Sequence, residues 1–346
     1  MSKKIRILSI DGGGIKGILP GTILQYIESK ICERKGADKR LADYFDFIAG
    51  TSTGGILSCI YLTPDKNGRP KFTAKEAVDL YVEKGHEIFD VHFWEKVSRG
   101  WGITNEKYPV ANLEKNLKYY FGDIKLSQLL KPCLITSYEI TKRSAVFFTS
   151  MDAKKTEVDN FLVRDICRAT SAAPTYFETA KISSIYGAPF YLVDGGVFAN
   201  NPALCAYAEA RKTDFGKILN DTKKPDKPSV KDMMIVSIGT GATGKPYSYD
   251  EAKGWGALGW MLPIIDILMS GNSETVSYQL SQMFDTLSEK DKKDYFRLEP
   301  SIEGAKSAMD NAKPENIQEL VAAGRRYVTD HDEELNKIVE RLIANE

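Results

Sequence analysis

The chain has 346 residues, of which 42% are hydrophobic and 27% charged, values typical of a folded globular protein rather than a disordered one. Its 47 basic and 47 acidic side chains cancel. No net field is available to hold a polyanion, so a nucleic-acid polymer is not expected as a partner. The length fits one large α/β domain or two smaller ones.

Cysteine usage and the N-terminal residues bear on the compartment. The five cysteines are scattered, and neither a CxxC nor a Cys/His pair stands at metal spacing, so we expect no metal, no cofactor and a reduced, cytoplasmic protein. The apolar run Ile5–Ile10 is too short for a signal-peptide core. The apolar stretch 255–269 is interrupted by Asp266 and is too short to span a bilayer.

Short β-branched runs alternate with longer helical patterns, which predicts an α/β fold with a largely parallel sheet covered on both faces. A lysine- and proline-rich segment at 220–229 precedes another strand directly, and we interpret it as a surface loop within a single domain, 1–346. The predicted strands are 4–10, 45–49, 134–140, 144–149, 190–193, 233–238 and 295–298. The predicted helices are 18–31, 53–62, 74–89, 113–121, one from about 161 that ends before Pro174, and a helical C-terminal segment, 314–346.

Residues 50–54, Gly-Thr-Ser-Thr-Gly, fit the pattern G-x-S-x-G between a predicted strand and a predicted helix. A serine at such a turn presents its hydroxyl clear of the sheet, and the flanking glycines avoid collisions where strand and helix approach. The helix N-terminus behind it favours developing negative charge. Ser52 is therefore a candidate nucleophile. A plain tight turn and a phosphate-binding loop remain alternatives.

Residues 11–17, Asp-Gly-Gly-Gly-Ile-Lys-Gly, also follow a strand and precede a helix. Three successive glycines allow backbone N–H groups to converge, which suits either an oxyanion or a phosphate. The segment lacks the Lys-Ser/Thr of a P-loop and the spacing of a dinucleotide fingerprint. Lys16 adds positive charge or points into solvent, and a structural glycine turn remains an alternative.

The sequence offers three histidines, His86, His92 and His331, and none follows a predicted strand. A triad histidine is therefore not expected. Asp194 ends an apolar strand before two glycines, and we expect it at the same edge of the sheet as Ser52. A partly desolvated site would raise its pKa and make it a better base. The alternative is an aspartate that caps a Gly-Gly turn.

Taken together, these segments resemble the patatin family of lipid acyl hydrolases. Three motifs occur in the family's order: the Asp-Gly-Gly-Gly-x-Lys/Arg-Gly loop at 11–17, the serine elbow at 50–54 and Asp-Gly-Gly at 194–196. The likeness extends to 41–46, 171–177 and 237–241 and covers about residues 5–330. It implies a three-layer fold with a central, mostly parallel sheet flanked by helices.

The resemblance also implies site residues and chemistry. Ser52 would be the nucleophile and Asp194 its base, without histidine or metal, and the amides of Gly12, Gly13 and Gly14 would form the oxyanion hole. The activity would be hydrolysis of fatty-acyl esters of phospholipids or galactolipids through an acyl-enzyme. Acyl transfer to an alcohol and non-enzymatic phosphate or nucleotide binding are the rival functions.

Partners follow from the same reasoning. The expected partner is lipid at a membrane surface, with peripheral attachment at the inner face, and the oligomeric state stays open. Some bacterial relatives are defence phospholipases switched on by a cyclic nucleotide, which makes such an activator a candidate, although no residue marks its site. Eight apolar residues of the stretch 255–269 form either a lipid-facing surface or a core helix. They are Trp255, Trp260, Met261, Leu262, Ile264, Ile265, Leu268 and Met269.

Overall fold

A mixed sheet of eight strands organises the molecule. The computed structural model describes residues 3–88, 110–241 and 247–346. The strands run in the order β5-β6-β3-β2-β1-β7-β8, and β4 also pairs with β3. Their bounds are Ile5–Ile10 (β1), Phe47–Gly50 (β2), Cys133–Glu139 (β3), Ser144–Thr149 (β4), Ala180–Ser183 (β5), Pro189–Asp194 (β6), Met233–Ile238 (β7) and Tyr295–Leu298 (β8).

Both faces of the sheet are covered, as predicted. On β1, Ile5 and Ile7 belong to one buried apolar cluster, whereas Leu8 and Ile10 belong to another. Successive side chains of a strand point to opposite faces, so each face has its own core and the fold has three layers. The described helices are Ile18–Lys35, Leu41–Tyr44, Thr53–Leu62, Ala74–Ile88, Ala111–Phe121, Ser150–Ala153, Val163–Thr170, Gly196–Ala199, Ala203–Arg211, Phe215–Leu219, Tyr249–Ala252, Ala257–Asp285, Pro314–Asp330 and Asp332–Ala344.

Strand direction divides the sheet into two parts. The neighbours β3, β2, β1, β7 and β8 are parallel, which agrees with the prediction of a largely parallel sheet. The pairs β3–β4, β3–β6 and β5–β6 are antiparallel. β5 was not predicted, because it is a four-residue strand at one end of the strand order, in which only alternate side chains are buried.

Predicted element boundaries differ from the observed ones by a few residues. The predicted helix 74–89 is observed as Ala74–Ile88, and Phe89 lies outside the described residues. The helix that we expected Pro174 to end stops earlier, at Thr170. The paired residues of β1, β7 and β8 all lie within the predicted strands 4–10, 233–238 and 295–298.

The junction of β2 and β6 on β3 positions the candidate site. One edge of β3 pairs with β2 up to Gly50, opposite Ile135, and then with β6 from Asp194, opposite Ser137. β2 and β6 therefore meet end to end, from opposite directions. We expected Asp194 near Ser52 because the carboxyl ends of parallel strands lie at the same edge of a sheet. That reasoning is wrong for β6, because β6 runs antiparallel to β3. The two carboxyl ends nevertheless meet.

Candidate active site

Ser52 occupies a strained turn between β2 and the helix Thr53–Leu62. Its backbone has φ 54° and ψ −123°, a conformation that costs an L-residue on the order of 1–3 kcal/mol. A Cβ on Gly50 would lie 2.2 Å from the carbonyl oxygen of Gly54, and a Cβ on Gly54 would lie 2.1 Å from that of Ile10. Glycine is therefore required on both sides of the turn, which is why the motif has its spacing.

The Ser52 hydroxyl donates a hydrogen bond to Asp194 Oδ2 over 2.6 Å. Both side chains are buried, with 7% of Ser52 and 3% of Asp194 exposed. Burial raises the pKa of Asp194 to about 7 from an ordinary value of 3.8, although hydrogen bonds from Ser52 and from the Gly196 amide oppose the rise. Hydroxyl and carboxylate are thus in contact, with the pKa that a base needs near neutral pH.

A threonine hydroxyl supports the strained turn from behind. The Ser52 amide donates to Thr170 Oγ1 over 2.8 Å, and that hydroxyl donates to the carbonyl oxygen of Thr136 over 2.6 Å. Both threonines are fully buried. Thr170 therefore fixes the backbone of Ser52. The sequence analysis missed it, because in the sequence Thr170 is only the last residue of an amphipathic helix.

The glycine loop contains one amide that is already bonded, and two further glycines that line the cavity. The Gly12 amide donates to the carbonyl oxygen of Asn200 over 3.1 Å, so it is not available to a substrate oxygen. Among the described residues the amides of Gly13 and Gly14 have no acceptor, and both glycines line the cavity beside Ser52. Of the three glycines expected to donate to an oxyanion, Gly12 has its amide bonded within the protein, and the oxyanion role of the loop stays a prediction.

Close packing requires the glycines of this loop. A Cβ on Gly13 would lie 2.2 Å from Thr240 Oγ1, and a Cβ on Gly14 would lie 2.2 Å from the carbonyl oxygen of Met309. Gly14 also has φ 60°, which favours glycine. Thr240 and Met309 come from distant segments: Thr240 belongs to the segment 237–241 that shares the family resemblance, whereas no pattern in the sequence marked Met309.

Lys16 follows this loop and is buried, with 8% of its surface exposed, so the solvent-facing alternative is wrong. Burial lowers its pKa, and the charges of Asp266 and Glu299 oppose that shift. Lys16 is not among the described residues that line the cavity.

An apolar cavity opens beside Ser52 and Asp194. Its wall includes Val197 and the helix residues Leu268 and Met269, and within the described chain Asp194 is its only charged member. A pocket with apolar walls around a few polar groups suits a hydrocarbon chain that carries one reactive polar bond. Further apolar wall residues are Ile56, Leu80, Tyr81, Ile88, Leu113, Leu117, Tyr120, Phe121, Ala173, Pro174, Tyr176, Phe177, Ile265 and Met309.

Of the three histidines, two can be placed. His86 is exposed on the helix Ala74–Ile88, and His331 stacks on Tyr327 with ring centroids 4.0 Å apart. Neither is among the described residues that line the cavity. His92 lies outside the described residues.

The N-terminal half of the long helix Ala257–Asp285 is not a core helix. Trp260, Ile264 and Leu268 are 40%, 46% and 54% exposed, whereas Ile265 and Met269 are partly buried in the cavity wall. Trp255 packs edge-on against Trp260. The side chains of Met261 and Leu262 lie outside the described residues. None of the helices in the described ranges combines the length and apolar character needed to cross a bilayer.

Comparisons with known proteins agree with this architecture. A sequence model of the patatin-like phospholipase family matches residues 8–207. Patatin-like protein 1 of Oryza sativa subsp. indica is 34% identical, over 96% of this chain and 83% of its own. Patatin group D-2 of Solanum tuberosum is 36% identical, over 95% of this chain and 84% of its own.

A third relative limits what membership implies. Probable inactive patatin-3-Kuras 1 of Solanum tuberosum is 33% identical, over 95% of this chain and 87% of its own. Its name shows that a chain can retain this degree of similarity and be regarded as inactive, so hydrolysis must be argued from the site. On the family match and on these relatives, the chain belongs to the patatin-like phospholipase family.

Proposed function

We propose that this protein is a serine acyl hydrolase that cleaves fatty-acyl esters through Ser52 and Asp194. The observation that carries the proposal is the 2.6 Å contact between the Ser52 hydroxyl and the Asp194 carboxylate at the wall of an apolar cavity. A carboxylate with a pKa of about 7 is half ionised at neutral pH and can accept the serine proton and return it.

The two residues supply both half-reactions. Asp194 takes the proton from Ser52 while the serine oxygen attacks the ester carbonyl carbon, which gives a tetrahedral intermediate. The carbonyl oxygen re-forms its double bond, the carbon–alkoxide bond breaks, and protonated Asp194 gives its proton to the leaving alcohol. Water, deprotonated by Asp194, then attacks the acyl-enzyme, and the fatty acid leaves as Ser52 regains its proton.

The amides of Gly13 and Gly14 are the proposed donors to the oxyanion. Both glycines line the cavity, and the helix Thr53–Leu62 begins directly after Ser52, which adds favourable partial positive charge. Donors fixed in advance need no reorganisation when charge develops, and loss of one costs roughly 2.7–4 kcal/mol in the barrier. The close approach of Thr240 and Met309 to the glycines keeps these amides in place.

The proposed substrates are membrane lipids, taken from the surface of a bilayer. Leu268 both lines the cavity and is 54% exposed, and Val197, which also lines the cavity, is 37% exposed. The apolar surface of the cavity thus continues to the outside of the molecule. An acyl chain that moves from a bilayer into the cavity along these residues avoids water throughout.

Two measurements test the proposal. A fluorophosphonate probe should label the parent protein and Ser58→Ala, in which a buried serine of the helix Thr53–Leu62 is removed, but not Ser52→Ala. Lipid mass spectrometry on mixed phospholipids and galactolipids should show free fatty acids with the parent only, and none with Ser52→Ala or Asp194→Asn. Labelling that persists in Ser52→Ala, or lipids left intact by the parent, would refute the proposal.

Additions to the same assay separate the rival functions. If acylated glycerol forms when glycerol is added, the protein is an acyltransferase. If the protein binds inorganic phosphate and the fluorophosphonate does not label it, it is an anion-binding protein. A cyclic-nucleotide activator stays a prediction from the resemblance alone. Arms with cyclic di- and trinucleotides test it, since equal turnover with and without them removes the activator.

A further inference from the structure

A buried ion pair joins the first residue of the glycine loop to the outermost parallel strand. Asp11 is 1% exposed and receives two hydrogen bonds from Arg297, Nη1 to Oδ1 at 3.0 Å and Nη2 to Oδ2 at 2.7 Å. Arg297 lies on β8, in register with Ser237 on β7 and Ser9 on β1. Its Nη1 also donates to Ser237 Oγ over 2.9 Å. The guanidinium is therefore held across two strands in one orientation.

From Asp11 the hydrogen bonds continue to the segment that follows Asp194. Ser273 of the long helix donates to Asp11 Oδ2 over 3.2 Å and accepts from Asn200 Nδ2 over 3.1 Å. The carbonyl oxygen of Asn200 in turn accepts the Gly12 amide over 3.1 Å. This path of hydrogen bonds starts at Asp11 and returns to the glycine loop at Gly12. Asp11 therefore connects the loop, through Ser273 and Asn200, to the segment that follows the catalytic aspartate.

Arg297 also faces a second carboxylate. Its Nη2 contacts Glu299, which accepts a hydrogen bond from the Gly241 amide over 3.2 Å. Gly241 directly follows Thr240, whose hydroxyl donates to the carbonyl oxygen of Gly12 over 2.7 Å. The guanidinium therefore reaches the glycine loop by two routes, one through Asp11 and one through Glu299.

Stability alone does not account for this arrangement. A buried ion pair is expensive to desolvate, and apolar replacements are often as stable, so such a pair is weak evidence for a stabilising role. Position is a better account, because a misplacement of about 1 Å in a reacting group costs on the order of 100-fold in rate. We propose that Arg297 is a positioning residue, which fixes Asp11 and so holds the Gly13 and Gly14 amides against Ser52. The proposal rests on the proposed hydrolase function.

The test compares Arg297→Lys with Arg341→Lys. Lysine keeps the charge but cannot bond both oxygens of Asp11 in a fixed geometry. Arg341 contacts Asp294, which directly precedes the amino end of β8, whereas Asp11 lies at the carboxyl end of the parallel strands, so Arg341 serves as the matched control. We measure kcat and KM on a soluble p-nitrophenyl ester, per site titrated with a fluorophosphonate, together with Tm. Arg297→Lys should lower kcat on the order of 100-fold with KM nearly unchanged. Arg341→Lys should lower Tm and leave kcat at the parental value.

Ser273→Ala keeps the proposal testable if Arg297→Lys does not fold. It removes both hydrogen bonds of Ser273, to Asp11 and from Asn200, and kcat should fall about tenfold. Parental kcat per titrated site in every Arg297 or Ser273 variant that folds overturns the positioning role, while the hydrolase function stands if Ser52→Ala is inactive. A parent protein whose turnover equals that of Ser52→Ala overturns both.

Discussion

The two ends of β1 each carry a buried arginine–aspartate pair, yet their surroundings differ. At the amino end Asp46 accepts from Arg6, Nη2 to Oδ1 at 2.9 Å, and from Lys224 Nζ at 2.6 Å. Lys224 also donates to the carbonyl oxygen of Lys4, and Arg6 to that of Leu342. The carboxylate and both cations are thus bonded, and the cluster ties β1 to distant segments of the chain.

At the carboxyl end the pair Asp11–Arg297 adjoins groups that are strained or unbonded. Ser52 has positive φ, Asp194 is desolvated, and in the described chain the buried Asn200 Oδ1 accepts no hydrogen bond. Near the amino end the buried Tyr44 hydroxyl is also without a partner among the described residues, so an unpaired group does not by itself distinguish the two ends. The strained Ser52 and the desolvated Asp194 do distinguish them, and their place beside a cavity is evidence of function rather than of poor packing.

The largest expected effect is at the carboxyl end, with Asp194→Asn. Without a base, kcat should fall on the order of 10⁶-fold, as when the histidine that serves as base is removed from a serine protease. The folded pKa of about 7 exceeds the ordinary 3.8, so stability falls as pH rises through that window, by up to roughly 4 kcal/mol. Asp194→Asn should therefore have a higher Tm than the parent at pH 8, and the difference should shrink at pH 5. A variant less stable than the parent at pH 8 would contradict the desolvation argument.

The opposite pattern is expected at the amino end. Asp46→Asn leaves the buried cations of Arg6 and Lys224 without their anion, which should cost about 3–5 kcal/mol of unfolding free energy in urea denaturation. Turnover per fluorophosphonate-titrated site should remain parental, because the cluster lies at the far end of the strand from Ser52. A loss of turnover per titrated site would show that the two ends are coupled and would break the comparison.

The pH dependence of hydrolysis sharpens the assignment of the base. Only ionised Asp194 can accept the serine proton, so kcat/KM should rise with pH to a plateau, with a midpoint at about 7, and fall about tenfold for each pH unit below it. The measurement is the pH profile of a neutral soluble ester. A midpoint near 4 would mean that burial does not raise the pKa of this carboxyl in solution.

Thr170→Val tests whether the strained turn needs support from behind. Valine leaves the Ser52 amide and the Thr136 carbonyl unbonded, while Thr170→Ser retains the hydroxyl. We expect a loss of stability of about 1–3 kcal/mol and a kcat about tenfold lower for the valine variant, with the serine variant near the parent. If valine and serine behave alike, the hydroxyl does not hold the turn.

The sequence predicted much of the framework and of the site's geometry. Strand 233–238 and the helix 53–62 were predicted with their observed bounds. Both are buried along their whole length, so their apolar residues mark them in the sequence itself. The contact between Ser52 and Asp194 was also expected, although its reason was wrong. The meeting of β2 and β6 end to end depends on β3 changing partners along one edge, and strand pairing leaves no local signal.

Residues that support the site from a distance escaped the sequence analysis for the same reason. Arg297, Ser273 and Asn200 lie within a strand, a helix and a turn, and each is an ordinary polar residue in its own neighbourhood. Their role depends on contacts across as many as 286 positions of the chain. The bond from the Gly12 amide to Asn200 was missed for the same reason, since it is visible only in three dimensions.

The smallest expected effect concerns the outer surface at the carboxyl end of β1, where the apolar face of the long helix is exposed. Ile264 is 46% exposed on that helix, and Ile218 is 41% exposed on the helix Phe215–Leu219, which makes the two isoleucines a matched pair. Half-burying an isoleucine in lipid contributes about 1 kcal/mol, so Ile264→Ser should weaken binding to phosphatidylcholine vesicles about fivefold in a sedimentation assay. Ile218→Ser should bind as the parent does. Equal binding by both variants, with turnover on soluble ester intact, would mean that lipid reaches the cavity by a different face, because a surface that delivers acyl chains to Ser52 must itself contact the bilayer.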